Sequence, residues 1–421
     1  MLEELASEFL GFLGASPSPW HAADQIAARL DRAGFRRISR TEPFPGDRSR
    51  GYLVDGGAVV AWVPPRQVPR AFALGLAHTD SPCLRLRPHA ESISYGCRRL
   101  SVETYGGLLN HSWLDRELSV AGRVCVEGPD GVHEVLVEVE GLRPVAPSLA
   151  IHLDRQVNER GLVVDRERHL APLAGLVEGT AFLALLARSA GAHPEQVLSW
   201  DLCLADAAPP SLAGTGDLVV SPRLDNLSSC FALVRALETA STREESAMVV
   251  AFLDAEEVGS GTAQGADSGF LAQILERLAH SWGLDREGFH AWCARGIALS
   301  ADMAHAVHPG HPERHSPHHA PVLGQGPVLK WNAGLRYSTV ASTAAVLRSL
   351  ARSQSIPLQT FAMRADLGCG STVGPLVSSQ LAIPAVDCGA PMLAMHSARE
   401  TMALVDQLLS ERLYRAFLEN A

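Results

Sequence analysis

Several things are scarce in this chain, and each scarcity removes a class of protein. Its eight cysteines, Cys83, Cys97, Cys125, Cys203, Cys230, Cys293, Cys369 and Cys388, are scattered through 421 residues with no CxxC pair. That argues against a disulfide framework and fits reduced thiols in a cytoplasmic protein. No stretch approaches eighteen consecutive apolar residues, so no membrane-spanning helix is expected. The start, MLEELASEFLGFL, carries acidic rather than basic residues before its apolar positions, which argues against a signal peptide. With a net charge of −10 and no cluster of Lys and Arg, the chain lacks the electrostatic footprint of a nucleic-acid binder. HExxH, GxSxG and the phosphate-binding P-loop pattern are all missing.

What remains is a soluble composition, 47% hydrophobic and 19% charged, with enough chain for a large core and two domains. AFALGLAHTD (71–80) is almost wholly apolar, as a strand buried on both faces of a sheet should be, and it delivers His78 and Asp80 at its end. AMVVAFLDAEE likewise ends in Glu256 and Glu257, GIALSAD ends in Asp302, and His396 follows the run AIPAVDCGAPMLAM. Leu227, Phe231, Val234 and Leu237 keep helical spacing, placing Asp225 at a helix N-terminus. A second helix is expected after His396, opened by a capping box of Ser397 and Glu400 and carrying Met402, Val405, Leu409, Leu413 and Phe417. Between about 88 and 213, segments such as ELSVAGRVCVEG alternate apolar and polar residues, the pattern of half-buried antiparallel strands. The interval from His78 to Asp225 is too long for a loop, so 88–213 reads as an insertion into a unit formed by 1–87 and 214–421.

In open α/β sheets, ligands bind outside the carboxyl ends of the strands, so these acids and imidazoles are expected to converge. His78, Asp225, Glu257, Asp302 and His396 make a plausible ligand set for two divalent ions: three carboxylates that would repel one another without cations. Asp225 is the candidate bridge between the ions. Glu256 is then left to take a proton from the attacking water. Asp80 is a candidate to accept the His78 imidazole N–H, with an ordinary turn residue as the alternative. Oxygen and nitrogen ligands without a thiolate leave zinc, cobalt and manganese open. The histidines crowded between 305 and 319 read as a surface or channel-lining loop.

The stretches AHTDSPCLRLRP, SPRLDNLSSC, DAEEVGSGTAQGADS, LSADMAHAVHP, GPVLKWNAGLRYST and MLAMHSARE together resemble the aspartyl aminopeptidase family of dinuclear zinc peptidases, and SPSPWHA near the start also fits. The resemblance implies a zinc exopeptidase-like α/β domain, a mixed central sheet flanked by helices, with an inserted, mainly β dimerisation domain. It implies removal of N-terminal Asp or Glu from peptides by a cytoplasmic homo-oligomer, dimers assembling into a tetrahedral dodecamer. Position by position it implies two zinc ions held by His78 and Asp302 on one side and Glu257 and His396 on the other. Asp225 bridges them and Glu256 is the general base. His152 would reach a neighbouring subunit's site, while Lys330 and Tyr337 would line the substrate pocket. Another dinuclear exopeptidase or deacylase, or a non-catalytic assembly protein with structural metals, are the rival readings.

Overall fold

The computed structural model describes residues 2–420. Its centre is a nine-stranded mixed sheet. The four middle strands, Ser246–Leu253, Ala71–His78, Ile297–Ala301 and Ala385–Gly389, lie parallel to their neighbours in that order. Arg36–Arg37, Gly51–Asp55 and Ala58–Val63 extend one side, Val328–Trp331 and Gln359–Ala362 the other. Alternate residues of each central strand enter opposite layers. Ala73, Ala77, Met248, Val250 and Phe252 meet the layer containing the helices Leu2–Gly14, Pro19–Arg32, Leu224–Glu238 and Leu404–Asn420. Phe72, Leu74, Leu76, Val249 and Leu253 meet the helices Phe270–Ser281 and Arg286–Arg295. Burial on both faces explains why these strands read as continuous apolar runs rather than alternating ones. The expected α/β architecture is therefore what the chain adopts.

A second, six-stranded sheet is antiparallel and runs Gly131–Glu138, Leu118–Gly128, Val197–Asp206, Cys83–Ser94, Cys97–Tyr105, Leu173–Leu176. It begins at Cys83, ahead of the boundary read at 88, and its last long strand ends at Asp206. One strand thus leaves the central sheet at His78 and the next opens the second sheet at Cys83, with only a short connection between them. The second sheet's core is continuous with the first body through Trp20 and Ala398.

The expected helix start at Ser397–Glu400 needs correction. Glu400–Ala403 is a strand paired with Leu218–Ser221, and the helix begins at Leu404. The sequence pattern was that of a capping box, but the Glu400 side chain is drawn inward to backbone donors of two other segments.

Candidate metal centre

Each acid and imidazole singled out in the sequence sits where a sheet strand or a helix stops being regular. His78 is the last residue of its strand. Glu256 and Glu257 follow Ser246–Leu253 after a turn at Ala255, whose φ is +63°. Asp302 directly follows Ile297–Ala301. Asp225 lies in a non-helical first turn of Leu224–Glu238, where the Asp225–Asn226 peptide is cis. His396, with φ +66°, is in the turn after Pro391–Leu393. Non-glycine residues in the left-handed region are sparse and concentrate at functional sites.

These side chains converge. Ligand-type atoms of His78, Asp225 and Asp302 all lie within 4.8 Å of one another, as do those of Asp225, Glu257 and His396. Asp225 belongs to both groups and offers one oxygen to each: Oδ1 is 3.6 Å from His78 Nε2, and Oδ2 is 3.6 Å from His396 Nε2. Glu257 Oε1 is 3.4 Å from His396 Nε2, and Asp302 Oδ2 is 3.9 Å from His78 Nε2. Tetrahedral zinc with bonds near 2.0 to 2.1 Å separates its ligands by about 3.3 to 3.4 Å, so the spacings match a slightly open pair of sites. Asp225 Oδ1 is buried and without a hydrogen-bond partner among the described residues, as an oxygen reserved for a cation would be. By donor chemistry and geometry the residues fit two divalent ions.

Both imidazoles are oriented the same way. His78 Nδ1 lies 3.0 Å from the backbone oxygen of Asp80, and His396 Nδ1 lies 2.9 Å from that of Gly107. Donation from each Nδ1–H leaves both Nε2 atoms facing the cluster as acceptors. The Asp80 carboxylate, expected to take the His78 proton, has Oδ1 3.4 Å from His78 Nδ1 and also accepts the backbone N–H of Glu256 and of Glu257, both at 3.1 Å. It also accepts the Tyr105 hydroxyl at 2.7 Å. Asp80 thus fixes the turn that carries both glutamates. Glu400 does the same on the opposite side: its carboxylate accepts the N–H of His396 at 2.7 Å and that of Asp225 at 3.1 Å.

Electrostatics shows what the cluster lacks from protein alone. Burial pushes Glu256 up to about 8, with the charges of Asp302, Glu257 and Asp80 adding and His78 opposing. Burial also raises Glu257 and Asp302, the latter against the pull of Lys330. Asp225 goes the other way: burial opposes its charge, but the imidazoles of His396 and His78 beside it outweigh that and hold the carboxyl low. His78 and His396 are raised in return. Without cations the imidazoles are driven to take up protons. Divalent ions would supply that positive charge and require the imidazoles neutral.

Of the remaining expected residues, Lys330 is beside the cluster, buried, with Nζ 3.0 Å from Asp302 Oδ1 and 5.3 Å from the centre of the Tyr337 ring. It is the only lysine in the sequence. Tyr337 is buried with Phe361. His152 is exposed in the short turn Ile151–Leu153 and is in none of the metal-type groups found among the described residues. Of the crowded histidines, His305 packs edge-on to Phe361, while His308, His311 and His318 are more open; none joins a metal-type group among the described residues. Sequence reasoning missed Tyr105, Gly107 and the true role of Glu400. Only the Gly-Gly pair after a strand, in TYGGLL, hinted that a backbone approached something there.

The family model described as "Aminopeptidase I zinc metalloprotease (M18)" matches residues 12–418. The "Probable M18 family aminopeptidase 2" of Streptomyces avermitilis is 40% identical over 423 residues, covering 98% of this chain and 97% of its own length. Among solved structures, Ape4 in its cryo-EM complex with Nbr1 superposes with a TM-score of 0.94 at 34% identity, over 100% of this chain and 86% of that one. The S. cerevisiae mApe1 dodecamer superposes with a TM-score of 0.86 at 26% identity, over 99% and 97%. With a family match across nearly its whole length, the chain belongs to the M18 aminopeptidase I family of zinc metalloproteases.

Proposed function

We propose that this aminopeptidase removes N-terminal Asp and Glu residues from peptides at a two-zinc centre. The observation that carries the reading is Asp225 standing between two ligand groups, one with His78 and Asp302, the other with Glu257 and His396, while Glu256 stays beside them. Bound there, the ions supply Lewis acidity toward the scissile carbonyl. Glu256 then acts as the base: it takes a proton from the attacking water and returns it to the leaving nitrogen. With cations held by its neighbours, Glu256 would lose its upward shift and stand as the carboxylate that this role needs.

Acidic specificity rests on Lys330. An ammonium has three donors, and Asp302 engages one of them. The others can meet a substrate carboxylate, and a neutral side chain would leave them unsatisfied. The engagement by Asp302 is also the one observation favouring a second reading, an aminopeptidase with no acidic preference. Hydrolysis of Asp-, Glu-, Leu- and N-acetyl-Asp-peptides, with and without a chelator, separates them. Preference for Asp and Glu, loss on acetylation and loss on chelation are expected; equal rates on Leu-peptides would support the second reading.

For assembly we infer a homo-oligomer of dimers, up to the dodecamer named for the S. cerevisiae relative. The insertion supports this by exposing apolar side chains, among them Leu149, Leu153, Val163 and Leu176, which a lone subunit would leave in water. His152 lies in the same exposed segment, and in such an assembly it would enter a neighbouring subunit's site. A cytoplasmic location fits the free cysteines. No described helix is long and apolar enough to cross a membrane.

A further inference from the structure

Lys330 is fixed by its place in the strand Val328–Trp331, but Tyr337 lies in the loop between that strand and the helix Ala341–Ser353. No regular backbone pairing holds the ring 5.3 Å from the ammonium, so the hold must come from side chains.

Asp387, fully buried, supplies it. Its strand, Ala385–Gly389, runs antiparallel beside Val328–Trp331 with Cys388 opposite Leu329, so Asp387 and Lys330 are the next residues along the two strands. Oδ2 of Asp387 accepts both the backbone N–H and the hydroxyl of Ser338, the residue after Tyr337, at 2.6 and 2.5 Å. Oδ1 accepts the Thr372 hydroxyl at 2.5 Å, and the Asp387 N–H donates to Thr339 Oγ1 at 2.9 Å. Ser371 Oγ adds a bond to the Arg336 carbonyl at 3.1 Å, tying the same two segments. The helix Val373–Leu381 starts hard against this clamp: a Cβ on Gly374 would stand 2.8 Å from Ser338 Oγ and 3.0 Å from Asp387 Oδ2.

Every side-chain or backbone donor to the Asp387 carboxylate is neutral. A buried charge without a cation is a poor source of stability, which points to placement as its use. The residue it places is poised as a donor: burial, the Cys369 thiol beside it and the charges of Asp302 and Asp387 push the Tyr337 hydroxyl far above the usual phenol range, so it keeps its proton.

We propose that Asp387 is the positioning residue of the pocket for the acidic side chain: by holding Ser338 and Thr372 it keeps Tyr337 against Lys330, so that hydroxyl and ammonium together meet the carboxylate of a substrate Asp or Glu. This rests on the acidic specificity proposed above. An ionised carboxylate accepts at both oxygens, whereas an amide would turn its N–H₂ toward the donors of Ser338 or Thr372. Displacing Tyr337 weakens recognition of the acidic side chain while the ligand groups around Asp225 stay as they are.

The test measures kcat and KM of the zinc-loaded full chain on matched Asp- and Leu-peptides. Asp387→Asn should raise KM for the Asp-peptide about 10-fold, with kcat and bound zinc within about 2-fold of the parent, and lower the Asp-to-Leu ratio of kcat/KM about 10-fold. Thr372→Val keeps the shape and removes one donor, so the ratio should fall about 3-fold. Tyr337→Phe removes the hydroxyl that Asp387 places; in that background Asp387→Asn should change the ratio less than about 2-fold. A merely structural role would lower Tm and depress both substrates alike, leaving the ratio where it was. A parent without Asp preference overturns the acidic reading and this inference together. A parent that prefers Asp overturns this inference alone if Asp387→Asn keeps the parental ratio, or if its effect is undiminished in the Tyr337→Phe background. Should Asp387→Asn fail to fold, Thr372→Val decides, an unchanged ratio overturning the proposal and a reduced one supporting it.

Discussion

Glu400 Oε1 accepts the backbone N–H of His396 at 2.7 Å, although the two residues are held in a turn and a strand rather than in one helix. Its other oxygen accepts Asp225 at 3.1 Å. One buried carboxylate therefore sets the backbone of two candidate metal ligands at once. Glu400→Gln keeps one acceptor but turns an amide N–H₂ toward the other donor. An unsatisfied buried donor costs about 1 to 3 kcal/mol. The variant should fold, bind zinc roughly 10-fold or more weakly, and lose kcat in zinc-limited assays. Zinc titration against a chromogenic chelator checks this; affinity equal to the parent's would remove the positioning role.

Glu256→Gln should retain zinc and the native circular dichroism spectrum while kcat falls by about 10² to 10⁴. A carboxamide cannot accept the water proton. Near-parental turnover on Asp-peptides would show that another group is the base.

Lys330→Arg tests the buried cation. The guanidinium is broader than the ammonium and its fork cannot occupy the same place between Asp302 and Tyr337. The kcat/KM for Asp-peptides should drop at least about 10-fold more than that for Leu-peptides. An unchanged Asp-to-Leu ratio would detach Lys330 from specificity.

Removing the ions should abolish activity and also lower Tm, because Asp225, Glu256, Glu257 and Asp302 then share a crevice without cations. Calorimetry before and after dialysis against a chelator, followed by zinc addition, reads both effects. Full activity after complete stripping would exclude metal catalysis.

His21 gives a pH dependence away from the metals. Burial is the main cause that lowers it from 6.5 to about 4, with Asp24 opposing and Arg223 assisting; neutral Nδ1 faces the Ser18 hydroxyl at 2.7 Å. The unfolded chain therefore binds this proton more readily than the folded one. The contribution of His21 is complete above about pH 6.5, declines as pH falls toward 4, and is flat below. Comparing urea unfolding of the parent and His21→Asn at pH 7.5 and 5 isolates it. The parent should lose more stability than the variant over that interval; equal losses would contradict the assignment.

The strand ends that carry the candidate ligands and the helix after Asp225 were legible because period and apolarity are local signals that survive in one dimension. Ala71–His78 and Ser246–Leu253 announce a sheet buried on both faces, and their polar last residues announce a site at its edge. Tertiary structure alone decided that Asp80 serves the backbone of Glu256 and Glu257, that Glu400 joins Asp225 to His396, and that Gly107 orients an imidazole 289 positions away. Each of those hydrogen bonds depends on where an inward-facing oxygen finds a donor from a distant segment. Ser397 and Glu400 carry the letters of a helix cap, but pairing with Leu218–Ser221 and two buried N–H groups claimed that stretch for a strand.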